Sequence, residues 1–476
     1  MDKDKKHNNE IRAAAKASAA LVIATFLQKG ISVISVPLFT RMMETSEYGE
    51  YSVFVSWLEV IAIFSTICLS KGVYNNGLMK YENDREKFTF SLCVLSTVST
   101  LIVMAVVISI NAIIPNLFGF KPYMIVAMAI VLWSEPAYNM WRVRQRFEYK
   151  YRMQTLVSCS LAVLSTLAGV LAVRFSLGNG TSVFARICGY YGIVSVFQIT
   201  FYILHAIRAK GSIDYRYWKY ALEFNLPLIP HYLSLYVLNH FDRIMINSFL
   251  GSSSAAIYTL AYQLGSVASI LWTSINASLI PYTYERCRRH EYSKLNSVTE
   301  LILACYAGVC LLVILFAPEA MTLLAPASYG GATNLVSPIV GGVFCSSLYY
   351  VFANVVYYYE KPKYVMIASI VSATLNLILN FVFIPRFGIV AAAYSTIACY
   401  VVQAMIDCWA MQTVVKERVY NLSKIVLIAF IMIVVSLSAQ YIYQFITLRV
   451  SVLILLFIVV VIERQKIESL TKMVRK

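Results

Sequence analysis

The stretch FNLPLIPHYLSLYVLNHFDRIMINSFLGSSSAAIYTLAYQLGSVASILWTSINASLI, Phe224–Ile280, decides the fold. It holds two apolar runs, 223–250 and 255–282, joined only by Gly251–Ser254. Each run exceeds the roughly 20 residues a helix needs to cross the hydrocarbon core of a bilayer. A spanning backbone must satisfy its own hydrogen bonds, and a helix does so within one segment. The strands of a membrane β-barrel would alternate in polarity over about ten residues, and neither run does. The stretch therefore reads as a helical hairpin through a membrane.

Outward from it, twelve further runs of the same kind lie near 17–40, 51–73, 88–114, 121–141, 154–174, 181–206, 296–317, 335–359, 364–385, 388–412, 422–445 and 448–463. The 476-residue chain is 59% hydrophobic and 13% charged, against about 25% charged in soluble domains. The expected fold class is all-α: a polytopic membrane protein of about 14 transmembrane helices. The apolar run after the basic N-terminus is too long for the core of a signal peptide and reads as a retained first span.

The 40 Lys and Arg residues and the net charge of +16 follow the same alternation. With the N-terminus inside, the outer loops carry only Arg41, Lys121, Arg174, Arg386 and Arg449, and the spans only Lys29, Lys71, Arg186 and Arg243. The other 31 fall on the inner side, as the positive-inside rule requires. Topology and contact with anionic membrane lipids explain the basic charge, so no nucleic-acid partner is expected. Both termini are placed in the cytoplasm. The ten cysteines form no CxxC pair and sit mostly in apolar runs, and the five histidines lack metal-ligand spacing; no metal or other cofactor is expected. No loop is long enough for a catalytic domain, so an enzyme is not expected and the function must lie within the membrane.

A weak internal repeat points to the mechanism. Arg41–Tyr51 leaves the first span as Ser248–Tyr258 leaves the seventh, and VRF at Val173–Phe175 returns as PRF at Pro385–Phe387. Six spans per repeat give halves of the same orientation, two six-helix bundles that can rock about a central cavity. The expected organisation is a basic cytoplasmic N-terminus at 1–16, bundles at 17–210 and 223–415 around a linker at 211–222, and two accessory spans with a basic tail at 416–476.

Candidate site residues are the polar groups inside spans. Tyr232, Tyr236, His240, Arg243 and Asn247 recur at helical spacing and would share one face of a continuous helix. Span eight carries Tyr262, Ser266 and Asn276 in a similar stripe, which fits either a cavity lining or helix–helix hydrogen bonding. Lys29, Arg243, Arg41 and Arg186 are the candidate binding cations, since a charge within a membrane usually faces a cavity or a partner. A cationic lumen suits an anionic phosphate headgroup. Glu59, Glu135 and Asp242 are acids that would instead pair with these cations. Pro227 and Pro230 either start or bend the seventh helix.

Phe224–Leu264, with Pro227, Pro230, Asp242, Arg243, Gly251, Tyr258 and Ala261, resembles spans seven and eight of bacterial polysaccharide flippases of the Wzx type. Leu375–Val402, with Asn376, Asn380, Pro385, Gly388 and Ala391–Ala393, is similar to spans eleven and twelve, and Val36–Phe54 to the first external turn. The resemblance covers most of 15–415. Serines at 252–254 stand where the first turn has acidic residues. It implies the fold of the multidrug/oligosaccharidyl-lipid/polysaccharide exporters and passage of an undecaprenyl-diphosphate-linked oligosaccharide to the outer leaflet of a bacterial cytoplasmic membrane. It further implies coupling to protons or sodium, for which Glu59 and Asp242 are the candidates, and association with the polymerase machinery that uses the glycan. An exporter of small drugs and a flippase of another polyprenyl-linked precursor are the alternatives.

Overall fold

The structure is a computed structural model that describes residues 28, 30–148, 150–178 and 180–462. Lys29, the basic N-terminus and the basic tail beyond 462 lie outside the described residues. Those described form helices and connecting turns with no strand.

The principal helices are α1 (Gly30–Met42), α2 (Thr45–Thr66), α3 (Arg85–Ile113), α4 (Pro122–Phe147), α5 (Tyr151–Phe175), α6 (Ser182–Arg208), α7 (229–250), α8 (Ser252–Arg288), α9 (Tyr292–Leu315), α10 (Ala332–Tyr358), α11 (Pro362–Phe387), α12 (Ile389–Val414), α13 (Leu422–Ile442) and α14 (Ile446–Ile462). Among the described residues, nine helices are long and apolar enough to cross a membrane, namely α3, α5, α6 and α8–α13. Of the rest, α2 and α4 carry carboxylates at Glu59 and Glu135, α7 is interrupted, and α1 and α14 contribute shorter apolar helices. Short helices at Val73–Lys80, Tyr215–Asn225 and Ala317–Leu324 cap the bundles.

Contacts divide the chain into two compact units between Ile244 and Met245, inside α7. In the first unit α6 packs on α4 and α5, α3 on α2 and α4, and the start of α7 on α2. A cluster of rings closes the end that carries the basic loops. Tyr74 stacks on Phe88, and Tyr217 meets Phe88 edge-on at 5.3 Å. The helix Tyr215–Asn225 is held there by Asp214, which accepts a bond from the Arg216 backbone amide at 3.0 Å, and by Trp218 Nε1, which donates to Ser91 O at 2.7 Å. Hydrogen bonds from Arg216 hold the Asp214 carboxyl well below the usual carboxylate range.

In the second unit α10 is the central helix, buried over nearly its whole length between α8, α12 and α13. Gly341 and Gly342 let α13 and α12 approach closely, the packing expected where lipid offers no hydrophobic driving force. The last two helices are fixed by charge. Lys424 pairs with Glu300 at 2.9 Å, and Arg449 binds both Glu319 oxygens at 2.7 and 2.8 Å.

Candidate functional site

The first unit encloses a polar cavity of about 350 Å³. Helix α2 supplies Glu59. Helix α4 supplies Glu135, Asn139 and Arg142, whose spacing of four and three residues puts all three on one face. Helix α5 adds Ser158 and Ser165, and α6 adds Tyr190, Tyr191 and Gln198. Most of these groups are held by neighbours rather than left to rotate. Asn139 Nδ2 donates to Glu135 at 2.9 Å, Ser134 Oγ donates to Gln198 Oε1 at 2.9 Å, and the Tyr138 and Ser158 hydroxyls are 3.0 Å apart. Arg142 lies over the Tyr138 ring at 5.3 Å, and its buried Nε has no hydrogen-bond partner. Two carboxylates and one guanidinium thus face this cavity, an arrangement suited to binding a cation or a hydroxyl-rich group.

The start of α7 extends this site. Tyr236 hydrogen-bonds to Glu59, and the His240 ring stacks on Tyr236 with centroids 5.5 Å apart. Lys71 Nζ sits 4.9 Å from the centre of the Tyr232 ring and 5.1 Å from that of Tyr236. Its backbone belongs to a turn in which Ile67 and Cys68 both have φ of 50° and Gly72 has φ of 57°. A left-handed β-branched residue is an outlier that its surroundings must hold in place. Asn225, fully buried, does so by donating Nδ2 to Ile67 O at 2.9 Å. Asn225→Ala leaves that carbonyl unsatisfied, which costs about 1–3 kcal/mol. The expected result is a melting temperature in detergent lowered by several degrees, with transport reduced as Lys71 loses its fixed position.

The structure interrupts the face read from spacing in span seven. Val237–Phe241 forms a π turn between α-helical Ile229–Tyr236 and Asp242–Leu250. Such a turn inserts one residue and rotates the rest of the helix by about 100°. Tyr232, Tyr236 and His240 stay together, whereas Arg243 and Asn247 leave their face. Arg243, 7% exposed, donates Nη1 to Asn239 O at 2.7 Å inside the π turn, and Asp242 beside it is buried. Asn247 accepts from Ser252 Oγ at 2.8 Å and closes the turn into α8.

In α8, Ser266 donates to Gln263 O and Asn276 accepts from Asn354 Nδ2 of α10 at 2.8 Å. The Asn276 bond joins α8 to α10, the Ser266 bond stays within α8, and Tyr262 lies against Tyr258. Arg41 is exposed and donates to Pro37 O. Arg186 is enclosed by the rings of Phe39, Tyr48 and Tyr51. Of the acids, Glu59 and Glu135 line the cavity. Lys71, Asn139 and Arg142 join the site although the apolar pattern does not single them out; the Glu135–Asn139–Arg142 spacing is the signal that marks the last two.

A multi-pass, all-helical chain with polar groups held inside its helical bundles defines a polytopic membrane protein with an intramembrane polar site. The family model described as polysaccharide biosynthesis protein matches residues 14–285, and the chain belongs to that family. It is 21% identical over 419 residues, 85% of this chain and 84% of the relative, to a protein of Haloferax volcanii described as a probable low-salt glycan biosynthesis flippase, Agl15. A probable flippase of the same organism, AglR, is 25% identical over 53% of each chain. Among solved structures, the lipid II flippase MurJ in an inward closed conformation superposes with a TM-score of 0.70 at 14% identity, covering 94% of this chain and 99% of that one. An inward-facing multidrug transporter of the MATE family gives 0.59 at 14% identity over 83% and 98%. The chain is therefore a multi-pass membrane protein of the polysaccharide biosynthesis family, with the fold seen in the MurJ and MATE structures.

Proposed function

We propose that the chain moves a polyprenyl-diphosphate-linked oligosaccharide, undecaprenyl-linked in a bacterial cytoplasmic membrane, from the inner to the outer leaflet by alternating access. The observation that carries this reading is the likeness to a glycan-biosynthesis flippase over 85% of the chain. The basic loops put both termini in the cytoplasm under the positive-inside rule. The cations Lys29, Arg243, Arg41 and Arg186 then offer charge to the diphosphate, and the polar cavity offers hydroxyl and carboxylate partners to the sugars. The test compares cells that carry this chain with cells from which it is deleted, and surface glycan is expected to fall on deletion. Arg243→Ala and Lys29→Ala, at matched protein amount, are expected to reduce surface glycan while lipid-linked oligosaccharide accumulates on the inner leaflet. Undiminished surface glycan in cells lacking the chain, with raised sensitivity to small cationic drugs, would point to a drug exporter instead.

A further inference from the structure

Helix α12 contains a carboxylate outside the cavity of the first unit. Asp407 is fully buried, and neither of its oxygens has a hydrogen-bond partner. It forms no ion pair among the described residues. An ionised carboxylate left so in a low-dielectric interior is strongly disfavoured. One turn away on the same face is Gln403, also fully buried. Gln403 donates Nε2 to Ser369 Oγ of α11 at 3.4 Å, which leaves its Oε1 without a donor. A protonated Asp407 has the O–H that this acceptor lacks; an ionised one would set two acceptors against each other. In the other direction, Met411 lines a cavity of about 340 Å³ at the end of α12, together with Lys416, the exposed Glu417 and Arg418. Four residues separate Asp407 from Met411, about 6 Å along the helix. The cavity, Gln403 and Ser369 all belong to the second unit.

We propose that Asp407 is a proton-binding site, closed in this conformation and exchanging its proton with water through the cavity at the basic-loop end of α12. Groups able to titrate or carry charge on the helices packed against this part of α12 include Tyr349, Tyr350, Tyr357 and Tyr358 on α10, Lys363 and Tyr364 on α11, Arg286 and Cys287 on α8, and Tyr400 and Cys408 on α12 itself. None of them bonds to the Asp407 carboxylate. A proton needs only one carboxylate oxygen and one acceptor, and this face of α12 carries both, four residues apart. Exchange of that proton once per cycle supplies a coupling step; this part of the proposal rests on the transporter reading, and the binding site itself does not.

The test is infrared spectroscopy of the purified full chain in lipid nanodiscs, comparing wild type with Asp407→Asn. The carbonyl stretch of a protonated carboxyl group is expected at neutral pH in wild type and is expected to lose one carboxyl's worth of intensity in the variant. Asp407→Leu, which fills the site with an apolar group of similar size, gives the same comparison if the amide does not fold. In proteoliposomes, wild-type transport is expected to vary with pH by up to about tenfold per unit, the limit for one proton, and transport by either variant to become flat. An unchanged carboxyl band in both variants overturns the site. A band that responds to sodium at fixed pH, and not to pH, overturns the proton in favour of a metal cation. A lost band beside unaltered pH dependence of transport keeps the binding site and overturns its part in coupling. None of these outcomes depends on which lipid-linked substrate is carried.

Discussion

Gly189→Leu is expected to remove folded protein from the membrane almost entirely. A Cβ at Gly189 of α6 would sit 2.6 Å from the carbonyl oxygen of Ala168 and 2.7 Å from the Ala172 Cβ, both on α5. The α5–α6 contact is among the most extensive in the first unit. A clash with a flexible side-chain tip could relax, but the Ala168 oxygen belongs to a backbone fixed by its own helix. Overpacking of a core costs about 1–3 kcal/mol when side chains can shift, and here about 3 kcal/mol or more is expected. Lipid gives no compensating drive to rejoin the helices once they part. Size-exclusion profiles and melting curves in mild detergent check the result. Adding Ala172→Gly removes one contact but not the backbone oxygen, so the double variant is expected to stay unfolded. Gly192→Ala is the control, because its Cβ meets nothing within 4 Å. Normal melting of Gly189→Leu would mean that α5 and α6 do not pack as described.

Gly189 illustrates what the sequence cannot convey. A glycine in an apolar run is equally compatible with lipid contact and with a helix crossing, because the partner backbone is set by tertiary packing. Helical class and the approximate positions of the long spans were legible, since both derive from continuous apolar length. Span seven was legible in extent but not in shape. Pro227 and Pro230 signalled irregularity, yet the interruption falls at Val237–Phe241, where no proline or glycine marks it. The rotation it introduces separates Arg243 from the tyrosines that its spacing joins to it.

Charge was legible by count and less so by destination. Arg142 reads as a loop cation because it comes after the apolar part of span four, but α4 continues to Phe147 and carries it into the cavity. Lys71 reads as an anchor at a span end, whereas the left-handed turn at Ile67 and Cys68 folds it over Tyr232 and Tyr236. Asp407 is a single acid in a long apolar run, and a window average hides it. In each case a covalent neighbour was visible and the spatial neighbour was not.

Arg186 carries the second large effect. Its guanidinium carbon lies 3.7 Å from the centre of the Tyr51 ring, 3.9 Å from Phe39 and 4.8 Å from Tyr48, and Nη1 reaches Met43 Sδ at 3.5 Å. It is 7% exposed and makes no ion pair among the described residues. Ring faces stabilise a desolvated cation by about 2 kcal/mol or more without cancelling its charge. A carboxylate would cancel it. The cage therefore holds a positive charge whose field persists near the end of α6 opposite the basic loops, where an anionic headgroup would arrive or depart. Arg186→Met fills the cage with a flexible apolar chain and removes the charge; Arg186→Lys keeps the charge but gives up the planar stacking. The methionine variant is expected to fold with a near-normal melting temperature. Its transport of lipid-linked glycan in proteoliposomes is expected to fall about tenfold, the change in rate that losing about 1.4 kcal/mol of electrostatic stabilisation produces. The lysine variant is expected to fall between the methionine variant and wild type. The opposite pattern, a lowered melting temperature with unchanged transport per folded molecule, would make Arg186 a brace between α1, α2 and α6 and leave substrate charge to be met elsewhere.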